Sequence, residues 1–335
     1  MSAGDSAGKP LAVTLGDPAG IGPEIIAAAW SALRRDGPSF LAVGDAATIA
    51  AAGCPVRQIS DPREATCFAE ALPVLDMPLT APVTAGQPSS GAAPRVIAWI
   101  EEAVALALAG EVGGVVTAPI AKASLYDAGF AYPGHTEFVG ALTAATAFRG
   151  ARGPVMMLTA KDLRVALVTV HAPLAQVPGL LTEAKIVAAG RVVAEALVRD
   201  FGVAQPRLVV AGLNPHAGEG GAIGDEEIRI VAPAVAALRA AGVDARGPSP
   251  ADSLFHDAAR RSYDAALCLY HDQALIPVKM LDFWGGVNLT LGLPIVRTSP
   301  DHGTALDIAG TGKADARSMI AAVKLAADMA DARAR

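Results

Sequence analysis

The stretch Leu163-Arg-Val-Ala-Leu-Val-Thr-Val-His171 is echoed twice later in the chain, by Arg207-Leu-Val-Val-Ala-Gly-Leu-Asn-Pro-His216 and by Asp264-Ala-Ala-Leu-Cys-Leu-Tyr-His271. Each is a short run of Val, Leu and Ala bounded by Pro, Gly or charge, with a histidine at or just past its end. Runs this short and this apolar read as buried strands of a parallel sheet. The three imidazoles then lie at or beyond strand carboxyl ends, the edge at which open α/β sheets bind ligands. Imidazole is the commonest protein ligand for Zn²⁺ and similar ions, and three protein ligands with an open position is the usual catalytic arrangement. Any one of these histidines alone reads as a loop residue bonded to a local carbonyl. Three of the chain's six, in one repeated setting, favour a divalent metal held by His171, His216 and His271.

Outward from these runs the chain alternates apolar strands with helical patterns, the mark of an α/β protein. Leu11 to Leu15 is a strand that breaks into Gly16-Asp-Pro-Ala-Gly-Ile-Gly-Pro-Glu24, with a helix beginning around Ile25. That turn suits phosphate at a helix N-terminus, yet its spacing is neither GxGxxG nor a P-loop. Phe40 to Val43 starts a second unit. Pro73 to Pro94 reads as an exposed connection with one short strand around Val74, Leu75 and Met77. A helix follows from Arg95 to Ala109, and Val115-Val116 then runs into Thr117-Ala-Pro-Ile-Ala-Lys122. Later elements are a strand from Val155 to Leu158, a helix from Thr182 to Phe201, a mobile glycine segment from Gly218 to Gly224, and a helix opened by Asp225 to Glu227. A strand from Leu289 to Ile295, a long ordered loop from Ser299 to Lys313 and a helix from Arg317 to Ala332 complete the chain.

Composition sets bounds. The 335 residues suffice for two domains or one large one, and 52% hydrophobic against 18% charged residues is the balance of a compact enzyme, not of a disordered chain. A formal charge of −6 leaves no basic footprint, so no nucleic-acid partner is expected. Cys54, Cys67 and Cys268 form no CxxC pair, which fits a reducing compartment, and Cys268 reads as core. Met1 to Pro10 carries no apolar leader, and no apolar stretch is long enough to span a bilayer, so no membrane partner is expected and the location is read as cytoplasmic.

Other polar residues stand out. His135 and Thr136 follow a glycine turn in Tyr132-Pro-Gly-His-Thr-Glu-Phe-Val139, where Thr136 is as readily a helix cap as a ligand contact. Lys279 and Arg297 are the natural candidates for holding a phosphate or carboxylate, Arg through its planar fork and Lys as a point charge, with Asn288 between them, although either alone also reads as an ordinary surface cation.

Five segments carry a family resemblance. Asp301-His-Gly-Thr-Ala-Leu-Asp-Ile-Ala-Gly310 resembles the loop of isopropylmalate and isocitrate dehydrogenases that wraps the adenosine end of the nicotinamide cofactor. Gly16 to Glu24 resembles their amino-terminal Gly-Asp-Gly-Ile-Gly-Pro-Glu with two residues inserted. The Pro-Gly-His-Thr-Glu, Asn-Pro-His-Ala-Gly-Glu-Gly and Tyr-His-Asp-Gln segments together resemble the 4-hydroxythreonine-4-phosphate dehydrogenase family of vitamin B6 synthesis, over nearly the whole chain.

The resemblance implies a two-domain, isopropylmalate dehydrogenase-like α/β/α fold with the active cleft between the domains. Residues 1–126 and 289–335 would form a discontinuous first domain carrying the cofactor loop, and 127–288 a second domain carrying the metal histidines and the dimer contacts. It implies that His171, His216 and His271 bind a divalent ion (Zn²⁺, Mg²⁺ or Co²⁺) shared across a homodimer interface. His135, Thr136, Lys279, Asn288 and Arg297 would contact the phosphorylated substrate, with Lys279 a phosphate contact or proton donor. Asp301, His302, Gly303, Thr304, Ala305 and Asp307 would bind NAD or NADP. The implied reaction is metal-dependent oxidation of 4-phosphooxy-L-threonine at C3, then decarboxylation to 3-amino-2-oxopropyl phosphate. Two alternatives stand beside it: a sister dehydrogenase of threonate or erythronate 4-phosphate, and a metal-dependent phosphohydrolase or acyltransferase on a related fold.

Overall fold

The computed structural model describes residues 8–335, so the reading of Met1 to Pro10 falls largely outside the described residues. The chain forms two compact units. One runs to Ala147 and resumes over Leu293–Arg335; the other is Phe148–Gly292.

The first unit begins with β1 (Leu11–Thr14), α1 (Gly22–Leu33), β2 (Phe40–Gly44), α2 (Ala46–Ala51), β3 (Val56–Ile59) and β4 (Leu72–Asp76). It continues through α3 (Ala93–Leu108), β5 (Val115–Thr117), α4 (Lys122–Asp127) and α5 (His135–Leu142). The second unit holds β6 (Val155–Ala160), β7 (Leu163–Leu167), α6 (Val177–Leu180), α7 (Glu183–Phe201), β8 (Arg207–Ala211), α8 (Ala232–Ala240) and β9 (Asp244–Ser249). It ends with α9 (Asp257–Arg260), β10 (Ala265–Cys268), α10 (His271–Leu281) and β11 (Val287–Leu291). The chain then returns to the first unit for β12 (Arg297–Pro300) and α11 (Arg317–Ala334). The units divide later in the chain than Tyr126 and Leu289. A cut after Tyr126 would split α4, which packs with α5 on α3, and β11 is laddered along its whole length to β6.

In the first unit the strand order is β3-β4-β2-β1-β5-β12, and every neighbouring pair is parallel. Such a sheet is covered on both faces, which explains why β1, β2, β5 and β12 are buried at every position. Here the structure corrects the reading of Pro73 to Pro94. Its strand is interior, with Leu72 and Val74 fully buried between β3 and β2, and only the chain after it is exposed. Pro73 is tolerated because it pairs with the edge strand alone, opposite Arg57. Helix α1 starts at Gly22, before Ile25, since Pro23 suits the first turn. A Cβ at Gly22 would lie 2.3 Å from the Leu15 carbonyl oxygen, so only glycine fits there.

The second unit has the order β11-β6-β7-β10-β8-β9. β7, β10, β8 and β9 run parallel, whereas β6 is antiparallel to both β7 and β11. Thus the three histidine strands are consecutive and parallel. The expected strand to Val170 stops at Leu167, and the strand expected over Leu289 to Ile295 runs instead from Val287 to Leu291, with Asn288 inside it. The Thr182 hydroxyl caps α7 by accepting from the Lys185 N–H at 3.2 Å, and Gly202 closes the helix with φ 67°. Cys268 is fully buried, within a cluster that includes Leu163, Val165, Val209, Ala266 and Val278. Among the described residues no helix is long and apolar enough to cross a membrane.

Candidate active site

Three parallel strand ends of the second unit are tied together by hydrogen bonds. Past β7, Thr169 donates through its N–H at 3.3 Å and its hydroxyl at 2.7 Å to the carbonyl of Leu269, which lies just past β10. The Leu269 N–H donates at 2.7 Å to Oε1 of Gln273, whose Nε2 donates at 2.6 Å to the carbonyl of Gly212, just past β8. All three candidate ligands leave from these tied ends. His171 is exposed and His271 half-buried, and their ring centroids stand 5.7 Å apart at 42°. Nδ1 of His271, which opens α10, lies 3.0 Å from Oδ1 of Asp272. An Nδ1–H donating to that carboxylate leaves Nε2 with the lone pair a metal needs.

His216 is held differently. It lies in Pro215–Gly221, where five consecutive residues from His216 to Gly220 have left-handed φ of 53°, 52°, 82°, 45° and 65°. The residues that lead into this loop are held by a carboxylate. Oε1 of the buried Glu227 accepts from the N–H groups of Leu213 and Asn214, both at 2.7 Å, and its Oε2 accepts from Asn214 Nδ2 at 2.9 Å. Glu227 opens a π-helical turn, Glu227–Val231, ahead of α8. Among the described residues no three or more His, Cys, Asp or Glu side chains gather closely enough to hold a metal. The donor chemistry of His171 and His271 fits a divalent ion, with His216 on the neighbouring strand end outside their immediate pair.

In the first unit, α5 begins at His135 and its N-cap is Gly134, so Thr136 sits in the first turn and is not the cap. Nε2 of His135 is buried and has no hydrogen-bond partner among the described residues. Burial, reinforced by the positive charges of Arg297 and Lys122, holds the His135 imidazole well below its ordinary pKa. Arg297 is 1% exposed, and its guanidinium donates to the Thr117 hydroxyl at 2.6 Å. Burial lowers the Arg297 pKa to about 10, with Glu137 acting in the opposite sense, so it stays cationic at neutral pH. A buried guanidinium, a neighbouring ammonium and a neutral imidazole with an unused nitrogen suit a phosphoryl group. Thr117 and Lys122 were not singled out from sequence. Their signal was the polar Thr117 to Lys122 segment that directly follows β5.

The loop after β12 is fastened to the turn before α1. The Ile21 N–H donates to the Thr304 carbonyl at 3.0 Å, and the Glu24 carboxylate accepts from the N–H groups of Gly310 at 2.9 Å and Gly312 at 2.8 Å. A Cβ at Gly20 would lie 2.9 Å from Thr304, so the close approach needs glycine. The Asp301 N–H donates to the Ser318 hydroxyl at 3.1 Å, His302 Nδ1 lies 3.0 Å from the Gly303 carbonyl, and Ala305 takes a left-handed φ of 43°. His302, Gly303 and Asp307 face solvent. The loop begins after Pro300, since Ser299 and Pro300 belong to β12. Lys279 and Asn288 lie in the second unit. Lys279 Nζ is 5.3 Å from the Phe283 ring centre, and Asn288 Oδ1 is buried with no hydrogen-bond partner among the described residues.

Comparison with known proteins agrees with the motifs. The model of the family described as pyridoxal phosphate biosynthetic protein PdxA matches residues 38–326. A 4-hydroxythreonine-4-phosphate dehydrogenase of Caulobacter vibrioides is 64% identical over 325 residues, covering 96% of this chain and 98% of the relative. The enzyme of the same name from Maricaulis maris is 54% identical over 97% of this chain and 99% of its own. Among solved structures, the 4-hydroxythreonine-4-phosphate dehydrogenase of Klebsiella pneumoniae aligns with a TM-score of 0.85 at 44% identity, covering 97% of this chain and 99% of that one.

Proposed function

The chain belongs to the pyridoxal phosphate biosynthetic protein PdxA family, and we propose that it oxidises 4-phosphooxy-L-threonine at C3 and decarboxylates the product to 3-amino-2-oxopropyl phosphate. One NAD-type cofactor is reduced and one CO₂ released per turnover. The observation that carries this reading is the buried Arg297 guanidinium beside His135, in a chain similar along its full length to dehydrogenases named for a phosphorylated substrate.

Arg297, His135 and Thr136 bind the phosphoryl group. At neutral pH His135 is uncharged and acts as a hydrogen-bond partner, so the positive charge comes from Arg297 and Lys122. His171, His216 and His271 are the residues that would hold a divalent ion, which when bound supplies a Lewis acid that lowers the pKa of the C3 hydroxyl. Asp272 fixes the tautomer of His271. Lys279, about two turns beyond His271 on α10, offers its ammonium to the substrate as a hydrogen-bond and proton donor. Asn288 Oδ1 is an acceptor for the substrate's amine or hydroxyl. Asp301 to Asp307 are the residues that would hold the adenosine end of NAD, which when bound would supply the hydride acceptor. Ile276, Met280, Phe283 and Trp284 are exposed along and just beyond α10, Met280 by 83%. Such an apolar face supports a homodimer, to be checked by sedimentation equilibrium.

The test is NADH formation from 4-phosphooxy-L-threonine and, in parallel, from threonate and erythronate 4-phosphates, each with chelator and with added divalent ion. Chelator-sensitive turnover confined to the amino-acid substrate is expected. Turnover with the sugar acids alone would reassign the substrate, and silence with all three would remove the dehydrogenase reading.

A further inference from the structure

From the hydrogen bonds of one buried carboxamide we infer that Gln273 is the positioning residue of the histidine site, setting the spacing of the three strand ends that carry His171, His216 and His271. This rests on the reading of those histidines as metal ligands. Gln273 is 6% exposed on the first turn of α10. Its oxygen accepts from the Leu269 N–H at 2.7 Å, two residues before His271, and its nitrogen donates to the Gly212 carbonyl at 2.6 Å, four residues before His216. The carbonyl of the same Leu269 takes both bonds of Thr169, two residues before His171. One side chain therefore clamps β10 to β8 directly and, through one residue, to β7. The clamp needs an amide. A carboxylate would keep the bond to Leu269 but turn a lone pair toward the Gly212 carbonyl, and a hydrocarbon would lose both bonds. Outer-shell partners of metal-binding histidines typically carry 10- to 100-fold of the affinity, and Gln273 acts one step further out, on the backbone from which the ligands project.

The experiment compares wild type, Gln273→Glu, the isosteric apolar Gln273→Met, and His271→Ala. Each is titrated with Co²⁺ by calorimetry, with the visible ligand-field spectrum recorded and the fold of the metal-free protein checked by near-ultraviolet circular dichroism. The expected result is histidine-dependent Co²⁺ binding in wild type, weakened about tenfold or more in both Gln273 variants, with an altered ligand-field spectrum and a retained metal-free fold. Folded variants that bind Co²⁺ with wild-type affinity and spectrum would overturn the inference while leaving the metal reading intact. Failure of both variants to fold would assign Gln273 to the core and overturn it too. Wild type that binds no Co²⁺, or binds it undiminished after His271→Ala, would overturn the metal reading and this inference with it.

Discussion

His135 makes the stability of the first unit depend on pH in a way that can be isolated. Burial and the charges of Arg297 and Lys122 hold its imidazole well below the ordinary value of 6.5. The folded chain therefore keeps His135 neutral while the unfolded chain protonates it as pH falls past 6.5. The unfolded state then binds more protons, so stability is intact above about pH 6.5 and declines below it, by up to about 1.4 kcal/mol per pH unit. Between pH 7.5 and 5.0 the loss is at most about 2 kcal/mol. His135→Asn removes the titration and keeps a polar side chain. Urea unfolding followed by tryptophan fluorescence suits the first unit, because Trp30 and Trp99 are buried there while Trp284 is 49% exposed. The variant should lose less stability than wild type on acidification, by up to about 2 kcal/mol. Parallel pH profiles for the two proteins would refute the reasoning, since every other titrating group is common to both.

Three further substitutions test the remaining parts. Arg297→Lys removes the fork that reaches Thr117 and should raise the KM for the phosphorylated substrate about tenfold or more in initial-rate assays. Glu24→Gln replaces one of the two oxygens that receive Gly310 and Gly312 with an amide donor. It should raise the KM for NAD by roughly three- to tenfold, with kcat changed less than twofold, because only the adenosine loop is disturbed. Glu227→Gln weakens the acceptor for Leu213, Asn214 and the Asn214 side chain, so chemical denaturation should show a loss of about 1–3 kcal/mol, accompanied by weaker Co²⁺ binding.

What could be read from the sequence follows what each residue answers to. β1, β2, β5, β7, β8 and β10 were legible because parallel strands buried on both faces are written as continuous apolar runs. β3 was not, since Arg57 and Gln58 are exposed on an edge strand, and β4 was misplaced because Pro73 reads as a loop residue until its edge partner is known. The candidate residues showed through their types and through family resemblance, but their supports did not. Gln273, Thr169, Glu227 and Glu24 are ordinary polar residues in sequence, and only long-range pairing reveals what they hold: Gln273 reaches back 61 residues to Gly212, and Glu24 forward 286 to Gly310. Likewise Thr117 became part of a site only when β12 brought Arg297 beside it, 180 residues on.

The loop of His216 supplies an argument that no motif contains. Left-handed backbone costs a non-glycine residue about 1–2 kcal/mol, and His216, Ala217 and Glu219 all adopt it, so the segment stores about 3–6 kcal/mol. Hydrogen bonds to a charged acceptor are worth about 1.5–3 kcal/mol each, and Glu227 receives three at the root of this loop, a compensation of similar size. A histidine that merely bonded a nearby carbonyl would need neither the strain nor the brace, since ordinary turn geometry would serve it. Strain that is held in place by a buried carboxylate persists when the position of a particular side chain matters. The cost of placing His216 is thus independent support for a ligand role, drawn from backbone angles and not from the pattern of apolar runs that first drew attention to it.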